Sequence, residues 1–108
     1  MGNILIVDDD RAICNGLAVA INRLGHDSTY TLTLKEGLKE VYSDKYDVIF
    51  LDVRLPDGNG LNALEEIRRI PSSPEVIIIT GEGDPDGAEL AIKSDAWDYI
   101  EKPLSNDA

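Results

Sequence analysis

Short apolar runs and helical stripes alternate along this chain. Asn3–Val7 (NILIV), Asp47–Leu51 (DVIFL) and Val76–Thr80 (VIIIT) are too short for helices and rich in β-branched residues. They read as strands buried on both faces. Asp27–Thr31 and Asp98–Lys102 are weaker strand candidates. From Arg11 to Leu24, the residues Ile13, Leu17, Ala20, Ile21 and Leu24 recur at helical spacing, with Asp10 as N-cap and Gly25 as the residue just past the end. Thr33-Leu34-Lys35-Glu36 has the form of a capping box, and Leu34, Leu38, Val41 and Tyr42 form the apolar stripe behind it. A Pro/Gly-rich loop from Leu55 to Gly60 leads to a helix carrying Leu61, Leu64 and Ile67. Asp84, followed by Pro85, caps a fourth helix.

The order is β-α-β-α-β-α-β-α-β in a single domain, 1–108, with no linker, repeat or low-complexity segment. Such alternation implies a parallel sheet with right-handed crossovers. Five strands fit the flavodoxin-like, doubly wound α/β arrangement, with strand order 2-1-3-4-5. That order puts the first helix on one face and the second, third and fourth on the other.

Composition narrows the class. Net charge is −11, from 21 acidic and 10 basic residues. Nucleic-acid binding relies on Lys and Arg neutralising phosphates, so nucleic acid is not a direct partner. No apolar run approaches the roughly 20 residues of a membrane span. Met1 to Val7 has no basic flank and is too short for a secretory signal, so a cytoplasmic location is expected. The single cysteine, Cys14, excludes an intrachain disulfide and reads as a small buried filler.

In open α/β sheets the ligand site lies at the carboxyl ends of the strands. Asp8, Asp9 and Asp10 follow the first strand and Asp52 the third; the fourth ends in Thr80-Gly81 and the fifth in Lys102-Pro103. Each alone has a bland reading: a turn former, a helix cap, a surface charge. Together they bring carboxylates, a hydroxyl and an ammonium to one rim. Crowded carboxylates either raise a pKa or hold a cation, and hard oxygen ligands suit Mg²⁺. A carboxylate nucleophile beside a divalent cation, with cationic and hydroxyl donors, is a phosphoryl-acceptor arrangement.

These motifs resemble the response-regulator receiver family of two-component signalling. They are Val7-Asp8-Asp9, Asp52 with Pro56 and Gly60 (D-x3-P-x3-G), Thr80 closing the fourth strand, and Lys102-Pro103 closing the fifth. The resemblance covers essentially the whole chain. It implies that Asp52 is the phosphoacceptor and that Asp9, Asp52 and the backbone carbonyl of Arg54 are direct Mg²⁺ ligands, with Asp8 acting through a bound water. It implies that Lys102 pairs with the phosphoryl oxygens, that Thr80 hydrogen-bonds one of them, and that Tyr99 is the aromatic switch residue beside Thr80. The implied partners are a histidine kinase or phosphotransfer protein and a C-terminal output domain. Thr80-Gly81-Glu82-Gly83-Asp84 and Ala96-Trp97-Asp98-Tyr99 look most like receivers of enhancer-binding transcriptional activators, which implies a role in transcription regulation.

Two features depart from the family. Asp95 stands where a glycine usually precedes the alanine after the fourth helix. The chain also stops six residues after Lys102, where the family continues into a fifth helix. The expectation is a C-terminally truncated domain, lacking the fifth helix, half bare on the first helix's side and forming a homodimer. Three rival readings fare worse. A haloacid-dehalogenase-like phosphatase needs a second acid two residues after its nucleophile, and here that residue is Arg54. A flavodoxin needs a phosphate loop where this chain has three carboxylates. A degenerate scaffold would lack pocket residues that are present here.

Overall fold

The computed structural model describes residues 2–80 and the strand 98–101, with Thr80 and that last strand described by backbone alone. Strands β1 (Asn3–Val7), β2 (Asp27–Thr31), β3 (Val48–Asp52), β6 (Glu75–Thr80) and β7 (Asp98–Glu101) form one sheet. Its order is β2-β1-β3-β6-β7, and each neighbouring pair is parallel. This is the expected 2-1-3-4-5 order, with a small hairpin inserted. The hairpin, β4 (Arg54–Leu55) and β5 (Gly58–Asn59), starts one residue before the expected Pro/Gly-rich loop and occupies most of it.

Three helices are described: α1 (Arg11–Arg23), α2 (Leu34–Ser43) and α3 (Gly60–Arg68). The expected fourth helix, with Asp84 at its start and Asp95 at its end, lies outside the described residues. Asp10 caps α1, its carboxylate accepting from the amides of Ala12 (2.9 Å) and Ile13 (3.4 Å). Past the C-cap, Leu24, the chain turns away through Gly25 at φ +88°, a conformation L side chains rarely adopt. Thr33 caps α2 by accepting from the Glu36 amide at 3.1 Å. The capping box is only half as expected. The Glu36 carboxylate accepts from the Thr33 hydroxyl (3.0 Å), and no bond from the Thr33 amide to Glu36 is described.

The alternation of strand side chains sorts the core onto two faces. Leu5, Val7, Ile49, Leu51, Val53, Val76 and Ile78 pack with Val41 of α2 and with Ala63, Leu64 and Ile67 of α3. Ile4 and Ile6 pack with Cys14 and Ile21 of α1, flanked by partly buried Val48 and Phe50. Helices therefore cover both faces, as a doubly wound sheet requires. Cys14 is fully buried, as expected of a filler. Three stripe positions, Ala20, Leu24 and Tyr42, are corrected, because all are exposed. Leu24 and Tyr42 are 76% and 63% exposed, Leu24 as the C-cap of α1 and Tyr42 as the next-to-last residue of α2.

Candidate functional site

The site grows from two strand ends. Asp8 directly follows β1, its amide donating to the Thr31 carbonyl (3.1 Å), and it is fully buried. Its Oδ1 accepts from the Asp10 amide (2.9 Å), and its carbonyl accepts from Cys14 Sγ (3.3 Å). Asp9 is exposed. Asp52 is the last residue of β3, one position later than the sequence pattern puts the strand end, and is 2% exposed. The Arg54 amide donates to Asp52 Oδ1 at 3.2 Å.

One oxygen from each of Asp8, Asp9 and Asp52 lies within 4.8 Å of the others. Two unit charges at that separation repel by about 3 kcal/mol at an effective dielectric near 20. A divalent cation offsets that repulsion. The donor set fits a hard cation, since it consists of oxygens alone without His or Cys, and Mg²⁺ is held by one or two carboxylates plus other oxygens. Arg54 bears the backbone carbonyl expected to join them; its side chain is exposed.

The glycine of the D-x3-P-x3-G spacing has a structural cause. A Cβ on Gly60 would overlap the carbonyl oxygen of Asp52. The Gly60 amide donates to the Val53 carbonyl at 2.7 Å. Only glycine lets the start of α3 come this close to the strand end that bears Asp52.

On the neighbouring strand Asp52 pairs with Ile79, so the Thr80 backbone emerges at the same end of the sheet. Thr80 pairs in turn with Glu101, the residue before Lys102. The side chains of Thr80, Tyr99 and Lys102 lie outside the described residues. The structure thus brings Asp8, Asp9 and Asp52 together, and assigns Asp10 to capping α1. Sequence reasoning missed Asp57, at the turn of the hairpin after Asp52, whose carboxylate accepts from the amides of Leu34 (2.8 Å) and Lys35 (2.9 Å). Its only local signal is a Pro-Asp-Gly turn.

A doubly wound parallel sheet with a carboxylate cluster at the carboxyl ends of β1 and β3 defines an acidic-pocket α/β domain of flavodoxin-like topology. Residues 4–108 match the model of the response regulator receiver domain, and the chain belongs to that family. It is a receiver domain of two-component response regulators, and transcription regulators are among its relatives. It is 37% identical over 106 residues to the DNA-binding transcriptional regulator NtrC of Proteus hauseri, covering 98% of this chain and 22% of that protein. It is 35% identical over 104 residues to the KDP operon transcriptional regulatory protein KdpE of Escherichia coli, covering 96% of this chain and 46% of that protein. The chain therefore spans half or less of these relatives' lengths. A response regulator from Burkholderia pseudomallei, solved with a phosphorylated aspartic acid, a calcium ion and citrate, superposes with a TM-score of 0.86 at 25% identity. That match covers 97% of this chain and 62% of the other.

Proposed function

We propose that this receiver takes a phosphoryl group on Asp52, with Mg²⁺ held by Asp9, Asp52 and the carbonyl of Arg54, and with Asp8 acting through a bound water. The observation that carries the reading is the convergence of Asp8, Asp9 and Asp52 within 4.8 Å, with Asp52 buried at a strand end. The phosphorylated aspartic acid in the Burkholderia relative supports the same chemistry here. The ion supplies charge neutralisation on the transferred oxygens. A carboxylate oxygen of Asp52 forms the new P–O bond as the P–N bond to a phosphohistidine donor breaks, and the electron pair leaves on the imidazole nitrogen. The Arg54 amide, already bonded to Asp52 Oδ1, orients the carboxylate before attack. Lys102 pairs with the phosphoryl oxygens. Thr80 moves to hydrogen-bond one of them, and Tyr99 turns into the vacated space, changing the surface around the last strand.

The domain is then a switch rather than a turnover enzyme, with at most self-phosphorylation from small donors and autodephosphorylation. Its partners are a cytoplasmic histidine kinase or phosphotransfer protein and an output domain in transcription regulation, without direct contact to nucleic acid. The partly exposed Val48 and Phe50 beside α1 favour association with a second copy. Among the described residues no helix is long and apolar enough to cross a membrane.

Incubation with acetyl phosphate and Mg²⁺, followed by intact mass, tests the reading. A single stable phosphoryl adduct that vanishes in Asp52→Ala is expected. Continuous release of inorganic phosphate would point to a phosphatase, and an inert chain to a scaffold.

A further inference from the structure

The turn of the β4–β5 hairpin is tied to a helix more than twenty residues earlier in the chain. Asp57 Oδ1 accepts from the Leu34 amide at 2.8 Å and Oδ2 from the Lys35 amide at 2.9 Å. These are the first two amides of α2, which the helix cannot satisfy by itself. The third, Glu36, goes to Thr33. Two segments thus share the cap, Thr33 from the chain entering α2 and Asp57 from the hairpin. The amides of Lys35 and Leu34 hold the Asp57 carboxyl below the ordinary carboxylate range, so the clamping group is the anion. Gly58, next to it, fits closely, because a Cβ there would lie 3.0 Å from Leu34 Cδ2.

The other end of the hairpin reaches the acceptor. Arg54 begins β4, and its amide holds Asp52 Oδ1. Gly60, just after β5, packs on the Asp52 carbonyl. On its opposite side α2 is seated on the strand that leads to Asp8, since a Cβ on Gly37 would lie 2.8 Å from Val7 Cγ2. The clamp therefore closes a ring from Asp52 through the hairpin and α2 to Val7 and Asp8.

We propose that Asp57 is a positioning residue for phosphoryl transfer: by fastening the hairpin turn to the N-terminus of α2, it holds Arg54 and Asp52 in register with the carboxylates after β1. The proposal rests on the reading of Asp52 as acceptor. Groups hydrogen-bonded directly to metal ligands typically change metal affinity by about tenfold or more when removed, and Asp57 reaches the ligands only through the hairpin. Asp57→Ala is therefore expected to weaken Mg²⁺ binding, measured by calorimetry, by up to about tenfold, and to slow labelling by acetyl phosphate by a similar factor. Asp57→Asn, which keeps one acceptor oxygen, should fall between.

Thr33→Ala is the control. It removes a cap from the same helix without touching the hairpin, and should lower the melting temperature while leaving Mg²⁺ affinity intact. Amide exchange on the metal-free protein gives an independent readout, in which Asp57→Ala should speed exchange at Arg54 as well as at Leu34 and Lys35. Equal effects of Thr33→Ala and Asp57→Ala on Mg²⁺ affinity, or unchanged exchange at Arg54, would overturn the proposal. A wild-type chain that binds Mg²⁺ but takes no phosphoryl group would overturn the acceptor reading instead, leaving the clamp to be decided by Mg²⁺ affinity and exchange alone.

Discussion

The two faces of the sheet are built unequally. On the side of α2 and α3, alternate residues of β3 are sealed, with Ile49 and Leu51 both at 0% exposure. On the side of α1, the intervening residues Val48 and Phe50 are only partly buried. By the same alternation Asp52 continues the row of Val48 and Phe50, and Asp8 continues that of Ile4 and Ile6. One face supplies the larger core. The other carries a smaller core around Ile6 and Cys14 and ends in the carboxylates, which are themselves buried, Asp8 at 0% and Asp52 at 2%.

The sharpest way to break this comparison is a matched pair of truncations in β3. Leu51→Ala should cost about 2–5 kcal/mol, as expected for a sealed core leucine. Val48→Ala should cost about 1 kcal/mol, since it removes only two carbons from a side chain that is incompletely buried. Urea denaturation measures both, and equal losses would mean that the faces are equally packed.

A second test addresses the carboxylate end. Saturating Mg²⁺, at about 100 times its dissociation constant, should stabilise the unphosphorylated fold by roughly 2.7 kcal/mol. The rise in melting temperature should exceed that in NaCl of matched ionic strength, and Asp9→Asn should blunt it. Identical responses to the two salts would remove the specific site.

The sealed face carries its own titration. Burial, reinforced by the hydrogen bond to Glu40, pushes the Tyr46 hydroxyl up to about 12. A group whose pKa is higher in the folded state stabilises the protein fully below its unfolded value near 10, and that contribution is lost as the pH rises through the folded value. Wild type should therefore lose about 2 kcal/mol more than Tyr46→Phe between pH 9 and about pH 12. Parallel alkaline melting curves would refute this.

The smallest effect is expected at the thinly covered face. Asp10→Ala should cost about 1 kcal/mol through loss of the α1 cap. Phosphoryl labelling should survive, because the acidic cluster is made by Asp8, Asp9 and Asp52. Loss of Mg²⁺ binding in a folded Asp10→Ala chain would show that Asp10 belongs to the cluster.

The limits expected for β1 and β2 are the observed ones: β1 is an apolar run closed by Asp8, and β2 begins just past Gly25-His26. The apolar pattern misplaced β3 by one residue. Asp52 looks like a turn former, yet it pairs with Ile79 inside the sheet. The acidic trio was legible because the topology of alternating elements sends every strand's carboxyl end to one rim. The hairpin was not, since β4 and β5 have two residues each and no apolar period to detect. Nor was the Asp57 clamp, a contact across 22 and 23 residues that no local pattern encodes. Tyr42 misled because helical spacing puts it on the apolar stripe, while its hydroxyl reaches Glu66 on α3 at the surface (2.5 Å).

The strand order bears on how the domain is made. β1 is synthesised first; β2 pairs on one side of it and β3 on the other, and β6 and β7 each add to the newest edge. No strand has to be inserted between two that have already paired. A chain leaving the ribosome N-terminus first can lay down this sheet in the order of translation. All three carboxylates of the cluster have been synthesised once residue 52 has emerged. The whole acidic cluster is thus encoded in the part of the chain made before α3, β6 and β7.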